Sequence, residues 1–269
     1  MTLSRISGVC VKMKKKILFV INSLGLGGAE KSLTSLLSTF DYSQYEVDLL
    51  MFRPNGMFLS LLPKEVNILP QPKFLKMNSF KEQLKNPKYL ITHIQASIGL
   101  RKNAKHRTLH DAQCYWKYAG KAFDNLKEKY DVAIAWGQGN PTHYVAEKVN
   151  ANKKIAFINV NYEAAGHNKE YDYPYYLKYQ YIAAVSDELT KLIIEAFPEM
   201  KEKIRTLYDI NNASAVHLWG EETSIVVLTF PEAFKDWVVT ALFWASNSSS
   251  STVPLPFMVR LTANEPFWY

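Results

Sequence analysis

Lys14 to Glu30 constrains this chain more than any other stretch. Three lysines lead into Ile17-Leu18-Phe19-Val20-Ile21, an apolar run with no polar alternation. That is the signature of a strand buried on both faces of a parallel sheet. Asn22-Ser23-Leu24-Gly25-Leu26-Gly27-Gly28 follows as a glycine-rich turn, and Leu33, Leu36 and Leu37 then recur at helical spacing. Strand, tight loop and helix are expected in that order. Gly25, Gly27 and Gly28 remove side chains where the backbone turns sharply and where a ligand can approach. The start of the following helix offers unpaired N–H groups and a positive dipole end to an anion. The loop is not the dinucleotide fingerprint, because Glu30 occupies the third glycine position counted from Gly25. Nor is it a Walker A loop, because no Gly-Lys-Ser/Thr follows. A plain strand-to-helix turn is the alternative reading.

The same rhythm continues. Tyr45 to Phe52 reads as a second strand, Arg53-Pro54-Asn55-Gly56 as a turn, Phe58 to Leu62 as a short helix stopped by Pro63, and Val66 to Leu69 as a third strand. Tyr130 to Trp136 is a fourth strand, ending in Gly137-Gln138-Gly139-Asn140-Pro141, with a helix from about Thr142. Lys153 to Val160 is a fifth. Tyr181 to Val185 is a sixth, feeding a helix capped by Ser186 with Asp187 and Glu188 in its first turn. Lys203 to Asp209 reads as one more short strand. The fold class expected is α/β: a Rossmann-like, largely parallel sheet with helices on both faces, plus an atypical C-terminal tail. In such a sheet ligands collect at the carboxyl ends of the strands. Gly137 and Gly139 allow close approach there, and Gln138 and Asn140 supply amide donors and acceptors.

Lys73 to Lys129 is helical and basic, with apolar residues at helical spacing over Tyr89–Leu100 and Ala112–Leu126. Arg101, Lys102, Lys105, His106 and Arg107 read as a basic loop between those helices. Such a patch suits solvent or anionic lipid head groups. His93, His106 and His110 have no metal-ligand spacing. Tyr171-Asp172-Tyr173-Pro174-Tyr175-Tyr176 offers flat rings with hydroxyl handles, suited to sugar rings, an interface or the core.

Asn22 to Lys31 resembles the Gly-Gly-Ala-Glu loop of bacterial family 4 retaining glycosyltransferases, which have the GT-B fold; Ser23, Gly27, Gly28 and Glu30 match it. The loop at Gly137–Asn140 and the Val185-Ser186-Asp187 segment have similar counterparts, and the resemblance covers Lys14 to Asn212. Where many members read Trp-Ile-His followed by Asn or Asp, this chain has Phe157 in place of the tryptophan and Asn159 in place of the histidine. Asn159 can hydrogen-bond a sugar hydroxyl but cannot exchange a proton near neutral pH. The resemblance implies sugar transfer from a nucleotide sugar to a saccharide or lipid-linked acceptor during capsule or exopolysaccharide assembly. It implies no metal for the chemistry and no cofactor. The Gly27-Gly28 backbone would face the donor phosphates. Gln138, Asn140 and Asn159 would orient the acceptor, and Glu30 would fix the loop. Ser23, Gly27, Gly28, Gly137, Gln138, Asn140, Asn159 and Asn161 are the candidate substrate-binding residues; no catalytic residue is identified.

The domain expectation is three parts. Residues 1–12 are read as a disordered or artefactual extension before a natural start at Met13. Residues 13–212 form the acceptor-side domain, and residues 213–269 an atypical tail. Beyond Asn212 the resemblance stops. The tail holds one lysine (Lys235) and one arginine (Arg260) against thirty in the first 212 residues, four of the six tryptophans, and the run Ser248–Ser251. No nucleotide-binding motif appears in it. A frame shift is favoured over a genuine extension, and transfer by this chain alone is expected to be little or none.

The net charge of +7 suggests anionic partners. Two cysteines, Cys10 and Cys114, make no disulfide framework and fit a reducing compartment. The expected location is cytoplasmic, with peripheral contact at the inner face of an anionic membrane. Three rivals stand beside this reading. A dinucleotide oxidoreductase is opposed by Glu30 and by Arg53, where an acidic residue is needed. A half-glycosyltransferase that binds without catalysing fits the missing donor domain. Nucleic-acid binding lacks a reading motif and is not expected.

Overall fold

The computed structural model describes residues 4–6, 9–11, 14–76 and 86–209. The tail 213–269, with the frame-shift reading attached to it, lies outside the described residues, as do residues 1–3, 7–8 and 12 of the segment 1–12. Two short antiparallel strands, β1 (Ser4–Ile6) and β2 (Val9–Val11), precede the main body.

The main body is a seven-stranded sheet in which every neighbouring pair is parallel. Its strands are β3 (Lys15–Ile21), β4 (Tyr45–Met51), β5 (Asn67–Leu69), β6 (Lys129–Ala135), β7 (Asn150–Ile158), β8 (Tyr181–Ala184) and β9 (Ile204–Thr206), in the order β5-β4-β3-β6-β7-β8-β9. The first sheet strand is therefore central, as its unbroken apolar run requires. Leu18 and Val20 enter the core on one face of the sheet; Ile17, Phe19 and Ile21 enter the core on the other. Helix α1 (Gly28–Ser38) covers the second face through Leu33, Leu36 and Leu37. The first face is covered by α3 (Pro87–His106), α4 (Asp111–Ala119), α5 (Asn140–Lys148), α6 (Lys169–Tyr176) and α7 (Asp187–Ala196). A four-residue helix, α2 (Lys73–Lys76), joins that face through Phe74. A 3-10 helix at Met57–Leu61 stands where a short helix was expected.

Three expectations shift. Arg101, Lys102, Lys105 and His106 are not in a loop: α3 runs through them, because nothing between Leu100 and His106 breaks a helix. The helix stops at Arg107, which adopts the left-handed conformation (φ 45°). The buried Asn103 secures the turn that follows, its side chain donating to Leu109 O (2.7 Å) and accepting from Leu109 N (3.1 Å). Helix α4 ends at Ala119 rather than near Leu126, where Gly120 tightens into a 3-10 turn against Trp116. Helix α5 starts at Asn140 rather than Thr142, which makes Asn140 its first residue.

The buried carboxylate of β4 is fully answered. Asp48 on β4 accepts from Tyr130 OH (2.6 Å) and from Asn67 Nδ2 (2.7 Å). Among the described residues no helix is long and apolar enough to cross a membrane.

Candidate functional site

The strand order reverses between β3 and β6: from β3 the chain moves out to β4 and β5, and from β6 it moves the other way to β7, β8 and β9. The loops that leave β3 and β6 at their carboxyl ends therefore diverge and open a crevice, the usual ligand position in an open parallel sheet. Ser23, Gly27 and Gly28 lie on the first of these loops, and Gly137, Gln138 and Asn140 on the second. Asn159 and Asn161 follow β7, the next strand along. All eight candidate residues thus fall on one rim.

The two helices that begin at the crevice share a property. Helix α1 has Gly27 and α5 has Gly139 at the N-cap, and neither has a side chain accepting from the first turn. The helices around them are closed. His110 caps α4 with Gln113 in a reciprocal box, Asn168 caps α6 by accepting from Tyr171 N, and Ser186 caps α7 by accepting from Leu189 N. Of these five helices, α1 and α5 are the two whose first N–H groups no side chain answers. A Cβ built on Gly28 meets nothing within 4 Å, so the space before α1 is open at that residue. A Cβ on Gly27 would lie 3.0 Å from Glu30 Cδ and nearer its Oε2. The Glu30 carboxylate therefore folds back over the loop.

Around Gly137 the site is tighter. Its φ of 139° and the φ of 79° at Gly139 are backbone conformations that favour glycine. A Cβ on Gly139 would stand 2.7 Å from the Ala112 methyl, so α4 presses directly on this loop. Gln138 bridges to the segment after β7, its Nε2 donating to Val160 O (3.1 Å) and its Oε1 accepting from Asn159 N (3.1 Å). Both ends of its carboxamide are thus engaged with backbone. Asn140 and Asn159 differ: each has a buried Oδ1 with no hydrogen-bond partner among the described residues. An unanswered buried acceptor costs about 1–3 kcal/mol, and a hydroxyl donor from a ligand would answer it. Asn161 stands apart, exposed, with its Oδ1 accepting from Ala164 N (3.0 Å). It lies on the lip of a depression of about 320 Å³ shared with Leu192 and Glu195. A larger depression, about 460 Å³, opens at the opposite, amino rim; Lys16 there is already paired with Glu46 (3.3 Å). That rim is far from the crevice along the strands and takes no part in the site.

Several residues that hold the site were not singled out from the sequence. The loop after β4 closes over the loop after β3: Arg53 N donates to Asn22 O (2.7 Å), Leu24 N to Asn55 O (2.9 Å) and Phe58 N to Leu24 O (3.1 Å). Gly56, at φ 135° and ψ 161°, makes this fit. Trp136, at the end of β6, stacks on Phe157 (4.1 Å) and donates from Nε1 to Ala29 O (2.8 Å), joining the two sides of the crevice. Below the second loop lies a buried polar cluster. His143 Nε2 donates to Asp172 Oδ1 (2.7 Å), Tyr162 OH donates to Asp172 Oδ2 (2.6 Å), and His167 stacks on His110 (4.1 Å). Burial pushes the Tyr162 hydroxyl above its ordinary range. Burial, then the neighbouring His110, pushes His167 down to about 4; Asp172, 3.8 Å away, opposes this without prevailing. The only sequence signal for this cluster is a histidine on an otherwise apolar helix face and an aspartate among tyrosines. Of the tyrosine-rich segment, Tyr176 is fully buried and the other tyrosines partly so.

No group of three or more His, Cys, Asp or Glu among the described residues is arranged to hold a metal ion.

No family model matches the chain, and no curated protein does. Solved structures similar to it include Anabaena Alr3699/HepE in complex with UDP and glucose, at 15% identity and a TM-score of 0.41, covering 73% of this chain and 45% of that one. A glycosyltransferase from Rickettsia africae is similar at 15% identity and a TM-score of 0.37, covering 72% and 43%. The lipopolysaccharide outer core galactosyltransferase WaaB, in its apo form, is similar at 14% identity and a TM-score of 0.38, covering 72% and 46%. The chain spans less than half the length of these three proteins.

Proposed function

We propose that residues 13–212 are the acceptor-side half of a GT-B glycosyltransferase of the family 4 type. The reaction is transfer of a sugar from a nucleotide sugar to a saccharide or lipid-linked acceptor in surface polysaccharide synthesis. The observation that carries this reading is the convergence, where the strand order reverses, of two glycine-capped helix starts with the unanswered Asn140 and Asn159 oxygens. Uncapped N–H groups suit a diphosphate, and orphan carboxamide oxygens suit sugar hydroxyls. The sequence resemblance around Gly27–Glu30 supports the same assignment.

In this reading the α1 start and the Gly27-Gly28 backbone stabilise charge on the departing diphosphate. Asn140 and Asn159 position the acceptor hydroxyl. Gln138 and Ser23 act on substrate less directly: Gln138 holds the β7 loop at its distance from the crevice, and Ser23 lines the loop after β3. Asn161 is placed at the outer end of the acceptor site. Glu30 fixes the loop. The protein works in the cytoplasm, at the inner face of an anionic membrane. No cofactor or metal enters the scheme.

A second reading, a half-glycosyltransferase that binds saccharide without catalysing, is favoured by the tail composition, whose single lysine (Lys235) and single arginine (Arg260) lie far apart in sequence. Ligand-observed NMR on the 269-residue protein separates the proposals. Diphosphate nucleotides should bind weakly, in competition with one another, and Gly28→Val should abolish that binding with the circular dichroism unchanged. Simple glycosides should bind in both proteins and lose affinity in Asn140→Ala and Asn159→Ala. Glycoside binding without nucleotide binding would select the second reading; binding of neither would overturn both. Turnover of labelled nucleotide sugars with lipid-linked acceptors should be little or none for this chain alone.

A further inference from the structure

Helix α3 has two unlike faces. Thr92, Ala96, Gly99 and Asn103 are buried, spaced by three or four residues. Gly99 packs so closely on α4 that a Cβ there would lie 2.5 Å from Tyr118 Cδ2 and nearer its Cε2. The opposite face carries Ile91, Ile94 and Ile98, exposed at 54%, 50% and 47%. Single exposed apolar residues are ordinary, but these three fall at i, i+3 and i+7 and form one stripe. The stripe continues along the same side of the helix into Arg101, Lys102 and Lys105, all exposed, with Lys88 at its other end. From Pro87 to His110 the sequence contains five lysines and arginines and no aspartate or glutamate. None of the five is paired with a carboxylate among the described residues.

We infer that this face of α3 docks on an anionic lipid bilayer, with Ile91, Ile94 and Ile98 entering the boundary between head groups and acyl chains and the basic residues held at the phosphates. An apolar stripe framed by unpaired cations on a surface helix is the pattern of an interfacial helix. Two copies of this face would bring like charges together, and a single convex helix offers no groove to an acidic protein segment. The position of the helix gives the docking a use, and that use rests on the glycosyltransferase reading. The basic end of α3 leads through Arg107 into the four-residue loop before α4. His110 in that loop stacks on His167, and Ala112 abuts Gly139 at the crevice. A bilayer touching α3 would therefore present a lipid-linked acceptor beside the rim that carries Asn140 and Asn159.

The test is flotation of the 269-residue protein with vesicles of pure phosphatidylcholine, or of phosphatidylcholine with about one-third phosphatidylglycerol. Flotation separates bound protein from aggregates. Binding is expected to the anionic vesicles, at least about tenfold weaker to the neutral ones and weaker in half-molar salt. The triple variant Ile91→Ser, Ile94→Ser, Ile98→Ser should lose about tenfold or more in partitioning. Lys102→Glu with Lys105→Glu should do the same, and as solvent-exposed changes both should leave the circular dichroism and thermal unfolding as they were. The inference is overturned by equal binding to both vesicle types or by no binding to either. It is also overturned if both variants partition like the parent, or if a dimer seen by light scattering, lost in the isoleucine variant, replaces vesicle binding. Nucleotide binding measured on the same samples without vesicles reports on the glycosyltransferase proposal separately, so failure of one is not failure of the other.

Discussion

Replacing Gly56 with alanine should be among the most damaging single-methyl changes available in this protein, although Gly56 lies in a surface turn. Two costs add. The backbone at φ 135° and ψ 161° lies in a region that essentially only glycine occupies, and holding another residue there costs about 1–3 kcal/mol. The new Cβ would also sit 2.5 Å from Gly25 N and closer still to the Leu24 carbonyl. Those are backbone atoms, held by the Leu24–Asn55 and Phe58–Leu24 hydrogen bonds, so they cannot swing aside as a side chain would. Forcing them apart costs about another 1–3 kcal/mol. The expected loss is about 2–6 kcal/mol, a large part of the 5–15 kcal/mol typical of a whole domain. Urea unfolding followed by circular dichroism should show the midpoint falling by about 1 M or more, taking a slope near 2 kcal/mol per molar. Gly28→Ala is the control: its Cβ enters open space, so stability should stay within about 0.5 kcal/mol of the parent. If Gly56→Ala unfolds at the parent midpoint, the loop after β4 does not close over Leu24, and the argument for a pre-shaped crevice fails.

Asp172→Ala removes the shared acceptor of His143 and Tyr162 in a buried site, and should cost about 3–5 kcal/mol in chemical unfolding; a loss under 1 kcal/mol would mean water reaches the cluster in the variant. Stability should fall as pH drops from 6.5 toward 4. With the His167 pKa lowered to about 4 in the folded protein, the unfolded chain binds the extra proton first across that window, so the loss begins below 6.5 and levels off near 4, at most about 3 kcal/mol. His167→Gln should flatten that part of the profile, and an unchanged slope would assign it to other groups. Trp136→Phe keeps the ring stack on Phe157 but loses the bond to Ala29 O, for about 0.5–1.5 kcal/mol and faster amide exchange in the first turn of α1; exchange unchanged there would show the bond does not hold that turn.

Local patterns carried much of this fold. A five-residue apolar run closed by a glycine-rich turn reads as a strand covered on both sides, and Ile17–Ile21 is that strand, at the centre of the sheet rather than its edge. Parallel pairing followed from strands alternating with helical segments, and each of the seven strands was legible as a short apolar run set between turn or helix signals. Boundaries slipped where no residue punctuates the chain. Arg101 to His106 reads as polar and therefore as loop, yet every residue there tolerates a helix and one face of it is free to be polar.

The crevice was partly legible for the same reason: Gly27, Gly28 and Gly137–Asn140 announce themselves as strand-to-helix loops, and loops after parallel strands share a rim. What binds those loops to one another was not. Gly56 is glycine because of Leu24, thirty-two positions earlier; Gln138 is engaged by the backbone of Asn159 and Val160; His143 depends on Asp172, and Trp136 on Ala29. Secondary structure and rim position depend on residues near in sequence, so periodicity and punctuation reveal them. The openness of two helix starts, the closure of three others and the two unanswered carboxamide oxygens depend on which groups meet across the sheet, and only the tertiary structure decides that.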